Sequence, residues 1–529
     1  MKNIIKIMID GKFTKCAIIL HVVLAFVTGF LLLHGNDMMR YVFDNLMLQD
    51  SDGFVAQLLL VILIFTIVFS IKLFNTYIIQ RLTWQGQKRL MKNYLTKLLH
   101  SDYMFFTKNE TAKIWYDLNF STQQGASFFE ESINILTTFT ILTFHAVILF
   151  RIDFFTGLLA FCAVPVYFFL TVHANKNFMP LQQKMMEHMG KQAVAGQDAL
   201  LNVANIKSKN AYNFFIEKVV NIQYDVNRYK QKFNVVYAYS TDIATLVGIV
   251  SPILILLGSL QLSDTLAANL GVVLVLYVNI PRFLNSSNFL YQQFALAKSK
   301  KSGLDKLREY DNLPFEKSGE MTLTSFESLE CKDVVVGFEN GPSFTIPNFH
   351  IKKGEKVMLV GESGIGKSTV FNIIIGLISD YQGDILINGI NLRTIDVSPL
   401  RKIFGIAFQN VNSLSATLAE NILLDMEKPK EGIDEILELL RLKPQFDIKS
   451  KLDLNSKAMS GGEKSRLGLA QILAREFEVL LIDETFSAID EEMEEEIMHE
   501  ILDKYARKTI IYIGHRSLSK KFFERIINF

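Results

Sequence analysis

A phosphate-binding pattern lies in the C-terminal half of the sequence. The segment "LVGESGIGKSTVFNIIIGL" fits G-x-x-x-x-G-K-[ST], between a buried-strand pattern and a helix pattern. Glycines let the backbone wrap around an anion, and the helix start adds unpaired N–H donors. We expect Lys367 to reach the β- and γ-phosphates and Ser368 to hold Mg²⁺. The alternative is a glycine-rich turn without a ligand. The predicted phosphate-binding residues are Gly361, Glu362, Ser363, Gly364, Ile365, Gly366, Lys367, Ser368 and Thr369.

Two further strand ends supply groups for hydrolysis. "FEVLLIDETFSAID" reads as a buried strand that ends at Asp483 and Glu484. Asp483 is predicted to orient Mg²⁺, and Glu484 to polarise the attacking water. "FGIAFQN" ends at Gln409, whose amide would reach Mg²⁺ or that water. Solvated polar groups at strand ends are the alternative for each.

A second helix start also favours an anion. In "KAMSGGEKSRLGLAQILAR", Ser460, Gly461 and Gly462 precede a helix-forming run. Unpaired N–H groups and the positive end of the helix dipole attract phosphate there. A simple serine-capped helix is the alternative interpretation.

Two single residues complete the predicted site. "TIIYIGHRSLS" reads as a strand that ends near His515, which would contact a γ-phosphate. Phe338 in "VVVGFENG" would stack on adenine, or else be an ordinary core aromatic.

The N-terminal half must place this chemistry at a membrane. Each of six apolar segments has about the 20 residues needed to cross a hydrocarbon core of about 30 Å. The first could instead be a signal peptide, but "LLLHGND" is a poor cleavage site, so we expect an uncleaved helix. The segments are roughly 15–34, 54–74, 132–150, 152–173, 242–260 and 265–283.

The distribution of charge predicts the orientation of the chain in the membrane, and the composition argues against a nucleic-acid-binding or disulfide-rich protein. Lys and Arg concentrate at the N-terminus and in the long loops 75–131 and 174–241, which are therefore predicted to be cytoplasmic. Both loops have helical spacing, so the membrane helices should continue beyond the lipid. The net charge of +1 gives no indication of nucleic-acid binding. Three scattered cysteines give neither a disulfide framework nor a metal-binding spacing.

Taken together, these motifs resemble those of the ATP-binding cassette (ABC) transporter superfamily, and the chain looks like an exporter-type half-transporter. "GESGIGKST" matches the Walker A motif, "VLLIDE" matches Walker B, and "MSGGE" matches the signature usually written LSGGQ. "SAID" resembles the D-loop, and His515 stands where the switch histidine belongs. "SDYMFFTKNETAKIW" resembles the first intracellular coupling segment.

The resemblance implies a multi-domain fold. A six-helix, all-α membrane domain is expected at 1–310, and an α/β P-loop ATPase domain with a helical subdomain at 325–529. It also implies that two chains sandwich two molecules of ATP with Mg²⁺, each between Walker A of one chain and the signature of the other. Glu484 and His515 are both present, which favours a homodimer, although a heterodimer with a degenerate partner stays open.

The chain departs from the family pattern in several ways. Glu463 replaces the usual glutamine of the signature, which would place an acid near the partner's nucleotide. The helical subdomain between Ile422 and Met459 looks short, and the usual acidic exporter loop is not recognisable. The sequence ends soon after His515, at Phe529. We expect basic ATPase chemistry to survive these differences.

The sequence thus predicts ATP-driven export of an unidentified peptide, lipid or drug-like substrate by alternating access, in a bacterial plasma membrane. A non-transporting ABC regulator or sensor is the alternative. Six membrane spans exclude a soluble ABC ATPase. Asp242 and His145 are ionisable groups in or near predicted spans and hence functional candidates. Either could instead be structural, Asp242 at the membrane interface and His145 in a bond to a neighbouring helix.

Overall fold

In the computed structural model, the chain forms two compact units, each with most of its contacts within itself. The first comprises Met1–Ser101 and Lys108–Leu313, and the second comprises Asp102–Thr107 and Pro314–Phe529. The sequence-based limits 1–310 and 325–529 stay predictions. The structure describes residues 2–47, 51–174, 178–262, 270–337, 343–409, 414, 416–423, 432–442, 451–452, 460–514 and 521–529.

The first unit is helical throughout its regular structure. The helices are α1 (Lys2–Ile9), α2 (Lys12–Met47), α3 (Ser51–Leu99), α5 (Thr111–Ile152), α6 (Phe154–Ala174), α7 (Phe178–Leu201), α8 (Val203–Ser208), α9 (Tyr212–Leu262), α10 (Leu270–Ser299) and α11 (Lys301–Asp311). The intervening α4 (Tyr103–Lys108) begins in the second unit.

Several of these helices are much longer than a lipid core requires. The apolar start of α3 passes without a break into a segment rich in Lys and Arg. Its buried residues there recur at three- and four-residue spacing, which is the periodicity of one helix face. They include Leu82, Gly86, Leu90, Tyr94 and Leu98. The prediction that membrane helices continue beyond their apolar runs is confirmed for α3.

The predicted membrane spans are found to different extents. Four described helical stretches are long and apolar enough to cross a membrane: Lys12–Phe43, Ser51–Leu99, Thr111–Ile152 and Tyr212–Leu262. Phe154–Leu170 is a shorter apolar helix. The sixth predicted span, 265–283, lies partly on residues 265–269, outside the described chain, and partly on α10.

The second unit is an α/β domain with two larger sheets and one short ribbon. Its strands are β1 (Ser328–Gly337), β2 (Ser343–Thr345), β3 (Phe349–Lys352), β4 (Lys356–Val360), β5 (Gln382–Ile387), β6 (Ile390–Asn391), β7 (Phe404–Ala407), β8 (Ala416–Thr417), β9 (Lys451–Leu452), β10 (Val479–Asp483), β11 (Thr509–Ile513) and β12 (Arg525–Asn528). Its helices after α4 are α12 (Lys367–Ile374), α13 (Val397–Ile403), α14 (Leu418–Leu423), α15 (Ile433–Leu439), α16 (Gly461–Leu473) and α17 (Glu491–Lys504).

One of the sheets determines where the functional groups lie. It has the order β12-β4-β11-β10-β7, and all of its pairings are parallel. The central strands β10 and β11 are buried along their whole length, as expected when helices cover both faces of a parallel sheet. Their carboxyl ends therefore meet at one edge, where ligands bind in open α/β sheets.

The antiparallel sheet packs into the same core. It has the order β2-β1-β5-β6, with β3 also paired to β1. Met104 of α4 packs against this core too, and the Asp102 N–H donates to the Pro314 carbonyl at 3.0 Å. By its contacts, Asp102–Thr107, which is part of the segment that resembles a coupling region, thus belongs to this second unit, the ATPase unit.

Candidate functional site

The phosphate loop joins β4 to α12. Gly361, Glu362, Ser363, Gly364 and Ile365 form the loop, and Lys367, Ser368 and Thr369 lie in the first turn of α12. Gly366 is the N-cap, with φ of +103°, a left-handed conformation that side-chain-bearing residues rarely adopt. The strand, the glycine loop and the helix start are arranged as the motif predicts.

Lys367 closes the loop onto itself. Its Nζ donates to the carbonyls of Gly361 and Glu362, each at 2.9 Å. The side chain is buried, with 4% exposure. Burial lowers the pKa of Lys367, while the carboxylates of Glu484 and Asp483 oppose that shift. The ammonium group is thus held at the mouth of the loop, beside two acids.

Ser368 and Asp483 join the first turn of α12 to the end of β10. The Ser368 hydroxyl donates to Asp483 Oδ1 at 2.8 Å. Burial raises the pKa of Asp483, and the nearby Glu484 raises it further. The bond from Ser368 and the charge of Lys367 counteract this rise by stabilising the carboxylate.

Glu484 begins the turn that follows β10. Its φ of +45° is unusual for a residue with a side chain, and such strain concentrates at functional sites. The turn is held because the Glu484 N–H donates to the Ile513 carbonyl of β11 at 3.0 Å. Gln409, which follows β7, donates from Nε2 to Glu484 Oε2 at 2.9 Å.

The parallel sheet therefore brings together the groups that the sequence had predicted separately. Lys367 and Ser368 follow β4, Asp483 and Glu484 end β10, and Gln409 follows β7. His515 and Phe338, two further predicted site residues, lie outside the described residues.

The oxygen atoms and N–H groups at this edge of the sheet are suited to bind a nucleotide with Mg²⁺. The hydroxyl, carboxylate and amide groups of Ser368, Asp483, Glu484 and Gln409 all offer oxygen, the ligand that Mg²⁺ prefers. The adjacent glycine loop and helix start present N–H groups and a positive dipole end to phosphate. The residues present thus fit both Mg²⁺ and ATP.

The second predicted anion site lies at the start of α16. Ser460 is the N-cap, followed by Gly461 and Gly462. A Cβ on Gly462 would lie 2.9 Å from the Ala488 carbonyl oxygen, so only glycine allows the turn after Glu484 to approach so closely. The signature helix is thereby packed against the segment that resembles a D-loop.

Glu463 has a structural role that sequence reasoning missed. Its carboxylate accepts the Ser460 N–H at 2.7 Å, and its own N–H donates to Ser460 Oγ at 3.3 Å. These reciprocal bonds form a capping box. The signal was in the sequence, because S-G-G-E has the S-x-x-E spacing of that motif.

Thr485 is a residue that the sequence analysis did not single out. Its buried hydroxyl donates to the Ala407 carbonyl at 3.1 Å, which ties the turn after Glu484 to the end of β7. The bond helps to position Glu484 relative to Gln409. Only its place directly after the Asp-Glu pair could have drawn attention to it.

Comparison with known protein families accounts for both units. A family described as "ABC transporter transmembrane region" matches residues 18–287, and one described as "ABC transporter" matches residues 344–487. The first of these alone covers more than half of the chain.

Individual relatives are similar over different lengths. A putative export ATP-binding/permease protein of Rickettsia bellii is 23% identical over 97% of this chain and 92% of its own length. An ATP-dependent lipid A-core flippase of Haemophilus ducreyi is 25% identical over 88% of this chain and 83% of its own. The lacticin-481/lactococcin-DR transport/processing ATP-binding protein of Lactococcus lactis is 37% identical over 38% of this chain, and the match spans 30% of that relative.

A solved structure matches the whole fold. The structure of a bacterial Atm1-family ABC exporter with ATP bound aligns with a TM-score of 0.84, covering 97% of this chain and 93% of its own, at 19% identity. At that identity the likeness speaks for the fold. Together with both family matches, it shows that the chain belongs to the ABC transporters, as an integral membrane protein of half-transporter exporter architecture that binds and hydrolyses ATP.

Proposed function

We propose that two copies of this chain form an exporter that hydrolyses ATP to move a substrate across a bacterial plasma membrane by alternating access. The N-terminus and the ATPase domain face the cytoplasm, as the Lys and Arg of the long loops indicate. The relatives named above are bacterial and include export proteins. The substrate is a peptide, a lipid or a drug-like molecule.

The observation that carries this proposal is the convergence at the edge of the parallel sheet. Lys367 binds the β- and γ-phosphates, while Glu484 accepts a proton from the attacking water. Ser368, Asp483 and Gln409 would hold Mg²⁺, which supplies positive charge against the phosphate oxygens. The bond from Gln409 to Glu484 holds that carboxylate in place. His515 contacts the γ-phosphate, and Phe338 stacks on adenine.

Each ATP is shared between the two chains. Within one chain the side chains of Ser460 and Glu463 bond to each other's backbone N–H groups, so the box organises the helix start. We assign Ser460, Gly461, Gly462 and Glu463 to the nucleotide held by the partner's phosphate loop. A two-fold dimer then has two identical sites, because an isologous interface repeats each contact.

A mixed dimer tests the shared site. One chain carries Lys367→Ala, its partner carries Ser460→Arg, and both carry Glu484→Gln so that ATP stays trapped. Two different affinity tags isolate the mixed species. In a shared-site dimer both lesions fall in one site, so about one ATP is trapped per mixed dimer.

The contrary result is equally clear. If each chain held ATP with its own two motifs, both sites would be damaged, and a folded mixed dimer would trap none. Either homodimeric variant should trap none under both arrangements, which provides the control. Dimers with Glu484→Gln alone should trap two.

A further inference from the structure

Four helices of the membrane domain converge on a group of buried polar side chains. Asn279 of α10 donates from Nδ2 to Asn36 Oδ1 of α2 at 2.7 Å, and both residues are buried. Arg282 lies one helical turn further along α10, on the same face as Asn279. His145 of α5 is buried as well, with 6% exposure.

Arg282 is held by an aromatic ring instead of a counter-ion. Its Cζ lies 5.3 Å from the centre of the Phe65 ring on α3, a cation–π contact. The salt bridges of the described residues include none to Arg282. Its Nη1 is buried and has no hydrogen-bond partner among those residues. A half-buried cation with an unused donor is therefore present in the membrane domain.

His145 and Asn279 also have hydrogen-bonding atoms that are not used within the described chain. His145 Nδ1 and Asn279 Oδ1 are buried without hydrogen-bond partners in the described part of the chain. His145 lies one turn before Leu149 on α5, and Leu149 packs in one cluster with the residues of α10 on either side of Arg282. Three residues next to Arg282 on α10 are apolar and buried: Ile280, Phe283 and Leu284.

These observations point to an anion. A charge that is partly withdrawn from water without a counter-ion is costly, so a ligand that pairs with it would be bound favourably. The planar guanidinium group of arginine binds phosphate or carboxylate through two parallel N–H bonds. We propose that Arg282, with His145 and Asn279 beside it, binds the anionic phosphate or carboxylate group of an amphipathic substrate. This assigns a substrate class to the exporter and rests on the function proposed above.

The test uses the full-length dimer in phosphatidylcholine nanodiscs. Three probes share one alkyl chain and differ in the head group: dodecyl phosphate, dodecanoate and dodecyltrimethylammonium. The apparent affinity of each is read from the rise of the thermal midpoint with probe concentration, since a ligand that binds the folded state stabilises it. ATP hydrolysis by the wild-type protein is measured in parallel.

We expect one or both anionic probes to stabilise the wild-type protein more than the cationic probe does. Arg282→Gln should weaken anion binding at least about tenfold, the effect of losing a charge-assisted hydrogen bond. Arg282→Lys keeps the charge but loses the planar fork, so its affinity should be intermediate. The control is Arg151→Gln, because Arg151 on α5 pairs with Asp37 at 3.2 Å and is exposed. It should bind the anion like wild type.

Each outcome decides a separate point. Binding of dodecyl phosphate alone assigns a phosphate group, whereas equal binding of dodecanoate extends the assignment to carboxylates. Equal affinity of all three probes, or unchanged anion affinity in a folded Arg282→Gln dimer, overturns the proposal. If Arg282→Gln does not fold, wild-type affinity in Arg282→Lys overturns it instead. Failure of the wild-type protein to hydrolyse ATP would count against the proposed function and not against this site.

Discussion

The ATPase unit and the membrane unit differ in how they satisfy their buried polar groups. Among the described residues, thirteen buried side-chain atoms lack a hydrogen-bond partner, and Tyr381 Oη is the only one in the ATPase unit. The other twelve lie in the membrane unit. In the ATPase site, by contrast, Lys367, Ser368 and Gln409 all have partners within the chain.

In the proposed exporter, this difference fits the two kinds of ligand: ATP in one unit and the transported substrate in the other. A site for one constant ligand gains from donors already fixed in place, because little reorganisation is then needed during the reaction. Polar groups without partners in a membrane domain can form hydrogen bonds to water or to a substrate, or to other residues in a second conformation. The predictions below test the fixed site first and the adaptable region afterwards.

The largest effect is expected at Glu484. Glu484→Gln removes the proton acceptor but keeps the phosphate loop, so turnover should fall by about 10²-fold or more while ATP still binds. The measurement is steady-state phosphate release together with an ATP-binding titration. Glu491→Gln, at an exposed acid in the first turn of α17, is the matched control and should hydrolyse ATP normally. Near-normal turnover of Glu484→Gln would remove Glu484 from the mechanism.

A smaller loss is expected at Lys367. Lys367→Ala removes charge-assisted bonds to phosphate, each worth roughly 1.5–3 kcal/mol, so ATP affinity should fall about tenfold or more. The control is Lys353→Ala, which removes an exposed lysine paired with Glu327 at 2.8 Å. A nucleotide titration that gives equal affinities for the two variants would contradict the role of Lys367.

The same contrast explains what could be predicted from the sequence. The phosphate loop and the Asp-Glu strand end are local patterns, and parallel strands necessarily bring their carboxyl ends together. Glu484 and Lys367 could therefore be placed in one site before the structure was known. The bond from Gln409 to Glu484 needed the strand order, which puts β7 beside β10.

The polar cluster of the membrane unit could hardly be predicted from the sequence. Asn36, Asn279 and Arg282 are far apart in sequence, and helix periodicity does not tell which helices are neighbours. His145 was selected only because an ionisable group in a span is unusual. Asp242, selected on the same ground, is exposed in this chain and belongs to no contact described above.

The buried amide pair gives a test within the membrane unit. In a double-mutant cycle of Asn36→Leu and Asn279→Leu, we expect a coupling free energy of about 0.6–1.7 kcal/mol, as for other interhelical hydrogen bonds in membranes. Unfolding is followed by helicity in an SDS titration. Thr143→Val is the control, since the Thr143 hydroxyl bonds only within its own helix, to Phe139 O at 2.9 Å. Additive single effects of the two asparagines would mean that the pair contributes nothing.

The smallest effect on ATP binding is expected at Glu463, where structure and charge can be separated. Its carboxylate closes the capping box through the Ser460 N–H at 2.7 Å. The side-chain carbonyl of glutamine can accept the same bond, so Glu463→Gln should lose only the attraction of the carboxylate to the helix dipole, about 0.3–1 kcal/mol. Glu463→Ala cannot accept it and should lose about 0.5–1.5 kcal/mol more, the net contribution of one hydrogen bond, while Ser460 Oγ still caps the helix.

The two variants should differ again in how they bind ATP. The helix dipole stabilises an acid at the start of α16 by about 0.3–1 kcal/mol. In the proposed dimer, however, the same carboxylate faces the phosphates of the partner's nucleotide. Removing the charge should therefore lower the ATP concentration for half-maximal trapping, by at most about fivefold. Both substitutions are compared in the Glu484→Gln background, in which trapped ATP is not consumed. Because Glu463→Gln keeps the hydrogen bond to the Ser460 N–H, it should gain affinity with a smaller loss of stability than Glu463→Ala, which should also gain less affinity. Weaker trapping in Glu463→Gln would show that the carboxylate itself supports closure, and that the acid is no obstacle to the partner's ATP.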